Sequence, residues 1–441
     1  MRILFVSYYF PPSGGPGVQR SLKFTRYLPD FGCEPVVLTV RPEDAAYPAL
    51  DRSLLDEVPA SLEVHRTKAW DPYGAYAALV GRQKDETVGV GFLGESNPNW
   101  KQRAGRWLRA NVFLPDARVG WVPYAIRTAE RLISERRFDA VWTTGPPHSA
   151  HLIGRRLASR HRLRWVADFR DPWTGIDYAE MLPTTALARR FDHSLERKVL
   201  TEASAVVVVS PSMASALSEQ VERAYTVIPN GFDPADFQSN VPVGADVFRI
   251  AHVGSLNVAR NPETLWRALA RLRDAGEIPA LRVQLVGRVD PAVAESARSH
   301  GLESILEHVD YLEHREAVSR MQRSALLLLV INRVEGADGI LTGKLFEYVG
   351  SGRPVLGLGP ANGDAARILR DTGGGEMIGF DSVDEVSELV GRHYRAWRAG
   401  TPVGGAAPEK AERYSRRAQA EELAAVFESV GSARTEEGPV S

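Results

Sequence analysis

The chain of 441 residues has little of several features that would point to a particular class of protein. Its single cysteine, Cys33, excludes an internal disulfide and is typical of a reducing compartment. No group of candidate ligands suggests structural zinc, and no run approaches ~20 consecutive apolar residues. The opening MRILFVSYYF is typical of a buried first strand rather than a signal peptide. The sequence therefore predicts a cytoplasmic protein.

The chain also lacks an excess of charge of either sign. Lysine and arginine number 54 and aspartate and glutamate 55, for a net charge of -1, which argues against nucleic acid as the main partner. A dehydrogenase of the Rossmann type is disfavoured too, because no G-X-G-X-X-G with a trailing acid follows the first strand. A hydrophobic fraction of 44% and a charged fraction of 25% are ordinary for a soluble globular protein long enough for two or three domains.

The most informative stretch runs from Ser324 to Gly359. Two apolar runs flank the short helical segment Thr342 to Gly350, which predicts a strand, helix, strand unit. Thr342 is a candidate helix cap, Gly343 allows close backbone approach, and the first turn of the helix suits an anion such as a diphosphate. Lys344 and Glu347 share one helix face, as expected for groups facing phosphates and ribose hydroxyls; a surface ion pair is the alternative.

Glycines follow other predicted strands. Gly14 and Gly15 come between the first strand and a helix, where they either cradle a phosphate or form a turn without a ligand. In the second half of the chain, Gly254 and Gly287 each follow a predicted strand. Arg260 precedes a helix start and is a candidate for contact with a diphosphate, with an ordinary surface arginine as the alternative.

Polar residues follow two consecutive strands in the first half. His148 lies after the strand Asp139 to Thr143, and Arg170 and Asp171 lie after the strand Trp165 to Asp168. Because ligands of open α/β sheets bind beyond the carboxyl ends of the strands, these residues are candidates for a functional site. The cluster is equally compatible with an internal ion-pair network that fixes the loop.

Several of these segments together resemble the family-4 retaining glycosyltransferases. The resemblance rests on TGKLFEYVGSGRPVLGLG, on GPPHS and DFRDPW, which are similar to a bacterial branch of the family, and on the turn IPNGFD. It covers the chain from Met1 to about Val426. It implies an α/β fold of the GT-B type, with two Rossmann-like domains facing across a cleft. The expected parts are an acceptor-side domain over 1–235, a nucleotide-sugar domain over 236–410, a helix over 411–432 crossing back to the first domain, and a disordered tail over 433–441.

The resemblance also implies roles for residues of this sequence. Catalytic or acceptor-side roles are expected for Asp171, His148 and Arg170. The donor-binding residues implied are Gly14, Gly15, Gly254, Arg260, Gly287, Thr342, Gly343, Lys344, Leu345 and Glu347. The reaction implied is sugar transfer from a nucleoside-diphosphate sugar with retention and without metal or other cofactor, in agreement with the absence of an Asp-X-Asp motif. The position eight residues before Glu347 departs from the family pattern, since it is Gly339 rather than a second glutamate.

The acceptor is expected to be selected by the irregular segment from Trp70 to Trp121. This segment contains the basic amphipathic stretch KQRAGRWLRANVFLP, which either contacts an anionic membrane or covers a core as a solvated helix. Both a small molecule and a lipid-linked glycan are compatible acceptors. Domain closure is expected about a hinge at 230–243. A phosphorylase, an epimerase and a sugar-nucleotide-binding regulatory protein without activity are the alternatives within the same architecture.

Overall fold

A computed structural model describes residues 1–70, 100–175, 183–237 and 241–432. The expected disordered tail, most of the expected acceptor-selecting segment and part of the expected hinge lie outside these ranges. The chain forms two compact units, one of Met1–Ile228 with Gln419–Ser441 and one of Pro229–Ala418. The boundaries expected from the sequence, 235 and 410, lie within ten residues of these.

The N-terminal unit is built on a parallel sheet of seven strands in the order β3-β2-β1-β4-β5-β6-β7. Its strands are β1 Arg2–Val6, β2 Glu34–Val40, β3 Glu63–Thr67, β4 Ala140–Gly145, β5 Arg164–Phe169, β6 Ala205–Val208 and β7 Thr226–Val227. Its helices are α1 Pro16–Tyr27, α2 Trp100–Asn111, α3 Val122–Glu135, α4 Ser149–His161, α5 Ala186–Glu202 and α6 Pro211–Gln220.

The C-terminal unit contains a parallel sheet of six strands in the order β10-β9-β8-β11-β12-β13. Its strands are β8 Phe248–Val253, β9 Leu281–Val286, β10 Leu306–Val309, β11 Leu326–Val330, β12 Val355–Leu358 and β13 Gly375–Ile378. Its helices are α7 Glu263–Asp274, α8 Pro291–Ser299, α9 His314–Arg323, α10 Gly343–Gly350, α11 Asp364–Thr372, α12 Val383–Arg398 and the short α13 Pro408–Ala411.

The central strands form where the sequence is mostly apolar, because both faces of each sheet are covered there. In β11, for example, all five side chains of LLLLV are buried. Within the N-terminal unit, Ile3 and Phe5 of β1 share a core with Leu423 and Phe427 of the last helix, α14 Arg416–Ser432. The prediction of two α/β units with parallel sheets is therefore confirmed.

In each sheet the strand order reverses once, and the reversal fixes where a ligand can bind. The reversal lies between β1 and β4 in the N-terminal unit and between β8 and β11 in the C-terminal unit. Neighbouring crossover connections leave the sheet in opposite directions at such a point, which opens a crevice at the carboxyl ends of the strands. None of the helices in the described ranges is both long and apolar enough to cross a bilayer.

Candidate active site

In the C-terminal unit, two glycines and a lysine meet at the reversal point. Gly254 follows β8 with a φ of 127°, and Gly287 follows β9 with a φ of 109°. A Cβ added to Gly254 would lie 1.9 Å from Cε of Lys344, and one added to Gly287 would lie 3.0 Å from the Gly254 carbonyl oxygen. Both positions therefore require glycine, for backbone conformation and for space. The Lys344 side chain therefore lies against Gly254, in the turn that follows β8.

The start of α10 is open toward the same region. Gly343 is exposed, and a Cβ added to it would meet no atom within 4 Å. The first N–H groups of a helix have no acceptor within the helix and carry partial positive charge. Thr342 occupies the cap position, but its hydroxyl does not accept a hydrogen bond from the first turn. The predicted side-chain cap is thus not formed, and Oγ1 of Thr342 is buried without a hydrogen-bond partner in the described part of the chain.

Two cations face this helix start. Burial, together with the nearby guanidinium of Arg260, lowers the pKa of Lys344 to about 8, and Glu347 acts in the opposite direction. Arg260 ends a short 3-10 turn after β8, and its Nε donates to Oδ1 of Asn332 in the loop after β11. Two like charges held together in a partly desolvated place favour an anion as their common partner.

Glu347 lies one turn along α10 from Lys344 and is half-buried. Burial and the carboxylate of Asp236 raise its pKa, against the opposing effects of His314, Lys344 and Arg416. His314 itself pairs with Asp236 at 2.9 Å. A carboxyl group in such a setting can accept hydrogen bonds from neutral hydroxyl groups, as the ribose role requires.

The core-facing side of α10 fixes its position. The phenol oxygen of Tyr348 accepts a 2.9 Å hydrogen bond from the Val253 backbone N–H at the end of β8. Leu345, expected to bind donor, has its side chain in the core, and its N–H donates to the Thr342 carbonyl at 3.2 Å. The Leu345 side chain therefore positions the helix, and neither that side chain nor the Leu345 N–H is available to a ligand.

In the N-terminal unit, the two glycines expected to cradle a phosphate differ from each other. Gly14 is buried, and its N–H donates to the Ala49 carbonyl at 2.8 Å, so that donor is already used. Gly15 is exposed with a φ of 93° and precedes α1, where the nearest atom to an added Cβ would be Cγ of Pro48 at 3.8 Å. Only Gly15 leaves its surroundings open to a ligand.

Asp168, the first aspartate of the DFRD segment, belongs to an internal ion pair. Both carboxylate oxygens of Asp168 accept from Arg20 of α1, at 2.7 to 3.1 Å, and one also accepts from the Thr144 hydroxyl at 2.7 Å. Arg20 and Asp168 are 1% and 0% exposed. At Asp168 the structure therefore contains the internal ion-pair network that the sequence left open as an alternative. Its two partners, Arg20 and Thr144, were not identified from the sequence.

Arg170 links three backbone segments. Its Nη1 donates to the Gly17 carbonyl at 2.8 Å, its Nη2 donates to the Pro146 carbonyl, and its N–H donates to the Gly145 carbonyl at 2.9 Å. A Cβ at Gly17 would lie 2.8 Å from the guanidinium. Arg170 therefore holds the loop after β4 and the start of α1 in place, while its buried Nε has no hydrogen-bond partner among the described residues.

His148 is shielded rather than presented. It is 4% exposed and stacks on Trp173, with ring centroids 5.0 Å apart and an angle of 14° between the planes. Burial, His151 and Arg170 lower the pKa of His148 well below its usual value. By ordinary hydrogen-bond geometry, neither ring nitrogen has a partner among the described residues. A Cβ at Gly145 would lie 2.7 Å from Nδ1, so that glycine gives the ring its space.

Asp171 is the exposed acid of this region, on the loop that follows β5. The loop is anchored by α5: Nε1 of Trp173 donates to Asp192 at 2.9 Å, and the Thr174 hydroxyl donates to Glu196. Burial raises the pKa of Asp192 to about 6. The sequence analysis did not identify these two acids of α5, whose i, i+4 spacing on one helix face was the available signal.

Comparison with known proteins places these observations in a family. Residues 14–231 match the sequence model described as a glycosyl transferase 4-like domain. A comparison with curated protein sequences finds no significant match. Solved structures match over nearly the full length, with 324 chains at a significant level.

Three of these structures illustrate the likeness. Sucrose-phosphate synthase from Thermosynechococcus elongatus has 15% identity, coverage of 98% of this chain and 99% of its own, and a TM-score of 0.60. Anabaena HepE in complex with UDP-glucose has 14% identity, coverage of 97% and 100%, and a TM-score of 0.59. WaaG, a glycosyltransferase involved in lipopolysaccharide biosynthesis, has 15% identity, coverage of 98% and 100%, and a TM-score of 0.51. Residues 14–231 are therefore a glycosyl transferase 4-like domain, and the chain has the GT-B fold.

Proposed function

We propose that the protein transfers a sugar from a nucleoside-diphosphate sugar to a hydroxyl group of an acceptor, with retention of configuration at the anomeric carbon. The observation that carries this proposal is the pairing of two cations, Lys344 and Arg260, at the open start of α10, where the Thr342 hydroxyl has no hydrogen-bond partner among the described residues. Each of these groups is suited to a diphosphate.

The part of the C-terminal unit is to stabilise the leaving group. As the bond between the anomeric carbon and the diphosphate oxygen breaks, its electron pair stays on the diphosphate. Lys344, Arg260 and the N–H groups at the start of α10 are already oriented toward that charge, so no reorganisation is needed in the transition state. Glu347 is the proposed acceptor of hydrogen bonds from the ribose hydroxyls.

The part of the N-terminal unit is to receive the acceptor. Asp171 is exposed and is the proposed group that orients the acceptor hydroxyl. The new bond forms between that oxygen and the anomeric carbon, and the hydroxyl proton passes to Asp171 or to a phosphate oxygen. Arg170 and His148 support this loop from within rather than contact substrate, and Gly15 is the glycine of the first loop available to a ligand.

The nucleotide and the requirement for metal are separate parts of the proposal. The HepE structures contain UDP-glucose and UDP, which makes a uridine nucleotide the first choice to test. The two cations supply positive charge at the diphosphate, so we propose that no divalent ion is required and that EDTA leaves turnover unchanged.

Nucleotide binding is the first test. Calorimetry with UDP, GDP, ADP and TDP, and with their common sugar conjugates, should give one selective ligand. Lys344→Ala and Glu347→Ala should each weaken its binding about tenfold or more, as expected for loss of a charged or bidentate contact. Lys410→Ala is the matched control, because Lys410 is an exposed lysine of the same unit. Binding of none of these ligands would refute the donor assignment.

Turnover and stereochemistry are the second test. With the bound sugar nucleotide and a panel of acceptors, proton NMR of the product should show the anomeric configuration of the donor. Asp171→Asn should lower kcat about a hundredfold while donor binding is unchanged, within the usual range for a general base. Sugar release that depends on added phosphate would show a phosphorylase instead, and donor binding without turnover on any acceptor would favour a regulatory role.

A further inference from the structure

One helix of the N-terminal unit has an apolar outer face that the proposed reaction does not use. On α5, Leu187 is 79% exposed and Phe191 is 53% exposed. They are four residues apart, so their side chains lie on one face of the helix. The opposite face is buried, at Glu196 and Val199 among others. The helix therefore packs well without these two side chains, which have no role in the core.

Most of the exposed charges of α5 are positive. Arg189, Arg190, Arg197 and Lys198 are all exposed. The acids of the helix are engaged elsewhere: Asp192 and Glu196 hold the loop after β5, and Glu202 forms a two-bonded pair with Arg155 at 2.8 Å. The outer face of α5 therefore presents apolar side chains next to cationic groups.

The end of α2 extends this surface. Asn111 accepts from the Thr185 N–H at 2.7 Å and donates to the Pro183 carbonyl at 2.9 Å, which brings the end of α2 against the start of α5. Nearby, Trp107 is 47% exposed and Val112 is 55% exposed. The sequence from residue 100 to residue 115 contains no acid.

From this juxtaposition we propose that the surface formed by α5 and the end of α2, called here the α5 face, binds an anionic phospholipid membrane. Aromatic and aliphatic tips bury themselves at the level of the headgroups while lysine and arginine contact the lipid phosphates. A second copy of this chain is disfavoured as the occupant, because a two-fold contact through the α5 face would set cationic side chains against cationic side chains.

The location of this face has a consequence for the reaction. The inner side of α5 holds the loop that carries Asp171, so a protein bound through the outer side would present that loop near the lipid surface. A lipid-linked acceptor fits this arrangement. That consequence rests on the proposed function, whereas membrane binding itself does not.

Sedimentation of the full-length protein with vesicles tests the proposal. Vesicles of phosphatidylcholine with 30% phosphatidylglycerol should bind the protein at least about tenfold more strongly than pure phosphatidylcholine in 0.1 M salt, and raised salt should weaken binding. Replacing both Leu187 and Phe191 by serine should lower binding about tenfold. Arg190→Gln should lower it about fivefold, the usual effect of one basic side chain near such a surface.

The matched controls are Leu55→Ser and Arg52→Gln, two exposed residues of the same unit in the connection between β2 and β3. They should bind vesicles as the unchanged protein does, and circular dichroism should show that every variant is folded. The proposal is overturned if the unchanged protein does not bind anionic vesicles, or if the Leu187 and Phe191 double variant binds them equally well. It is also overturned if that double variant instead abolishes self-association or binding of an acidic protein, which would make the α5 face a protein interface. Donor binding by calorimetry remains a separate readout, so failure here leaves the proposed function standing.

Discussion

Binding of a nucleoside diphosphate should take up a proton from solution near pH 8, and Lys344 is the reason. Its pKa is lowered to about 8 in the ligand-free protein by burial and by Arg260. A diphosphate bound beside it favours the charged form and should return the pKa to about 10 or higher. At pH 8 half of the lysine is neutral before binding and nearly all of it is charged afterwards, so the uptake should be about 0.5 proton.

The affinity should follow the same linkage. The nucleotide phosphates are fully ionised above about pH 7.5, so they do not add to the pH dependence there. Between pH 7 and pH 9 the dissociation constant should rise about tenfold, because a proton must be bound before the ion pair can form. The uptake is measured by calorimetry in two buffers of different ionisation enthalpy, at pH 6.5 and at pH 8.

Lys344→Arg separates this explanation from others, since arginine stays protonated throughout this range. The variant should show neither uptake at pH 8 nor the fall in affinity toward pH 9. An uptake that persists in the variant would assign the proton to a different group and refute the reasoning.

The same lowered pKa has a consequence for stability. Because the folded protein disfavours the charged lysine, the folded state should become more stable as the pH rises from 8 toward 10.5. The full difference from 10.5 corresponds to about 3 kcal/mol, and partial exposure of Lys344 to solvent reduces it to about 1–2 kcal/mol. Lys344→Met should therefore stabilise the ligand-free protein at pH 7 by about that amount, measured by urea unfolding.

Three further substitutions test the surrounding structure. Gly254→Ala should weaken nucleotide binding about tenfold or more and destabilise the fold by about 1–3 kcal/mol. The reason is that the φ of Gly254 is 127° and that an added Cβ would overlap the Lys344 side chain. Gly276→Ala is the control, because Gly276 has a φ of 71° in open space and should show only the cost of the backbone strain. The pKa of Asp192, raised by burial to about 6, means that stability should fall by about 1–2 kcal/mol as the pH rises from 4 to 6, and Asp192→Asn should remove that part of the fall in urea unfolding. Arg20→Met should cost about 3–5 kcal/mol in the same assay, because it leaves a buried carboxylate without its counter-charge, and a cost below 1 kcal/mol would contradict that account.

Several strands of the sheets could be predicted from the sequence because they are mostly apolar. The strands expected at Phe248 to Val253 and at Val355 to Leu358 begin and end at these residues in the structure. Each is followed directly by a glycine, which favours a turn at that point, and each is too short to be mistaken for a core helix. In β5 and α1 the expected bounds differ from the structure by one or two residues at each end.

The partners of buried charges could not be predicted in the same way. Arg20 and Asp168 are separated by 148 residues, and neither has a local pattern that identifies the other. The same holds for the Ala49 carbonyl, which takes the Gly14 N–H. His148 looked available because it follows a strand end, but availability depends on Trp173, whose ring lies over it. Such contacts are set by tertiary packing rather than by residue spacing.

What distinguishes the start of α10 from the Arg20–Asp168 ion pair is that its charged groups are not satisfied by one another. Asp168 is buried, yet it accepts hydrogen bonds from Arg20 and Thr144, so nothing there calls for a ligand. Lys344 is held next to another cation, and the hydroxyl of Thr342 is buried without a partner in the described part of the chain. Such unfavourable electrostatic interactions are typical of binding sites, because a ligand that pairs with these groups removes their cost. The ligand then stabilises the native state in proportion to the logarithm of its concentration over Kd. The donor site is therefore better supported by what its residues lack than by what they contact.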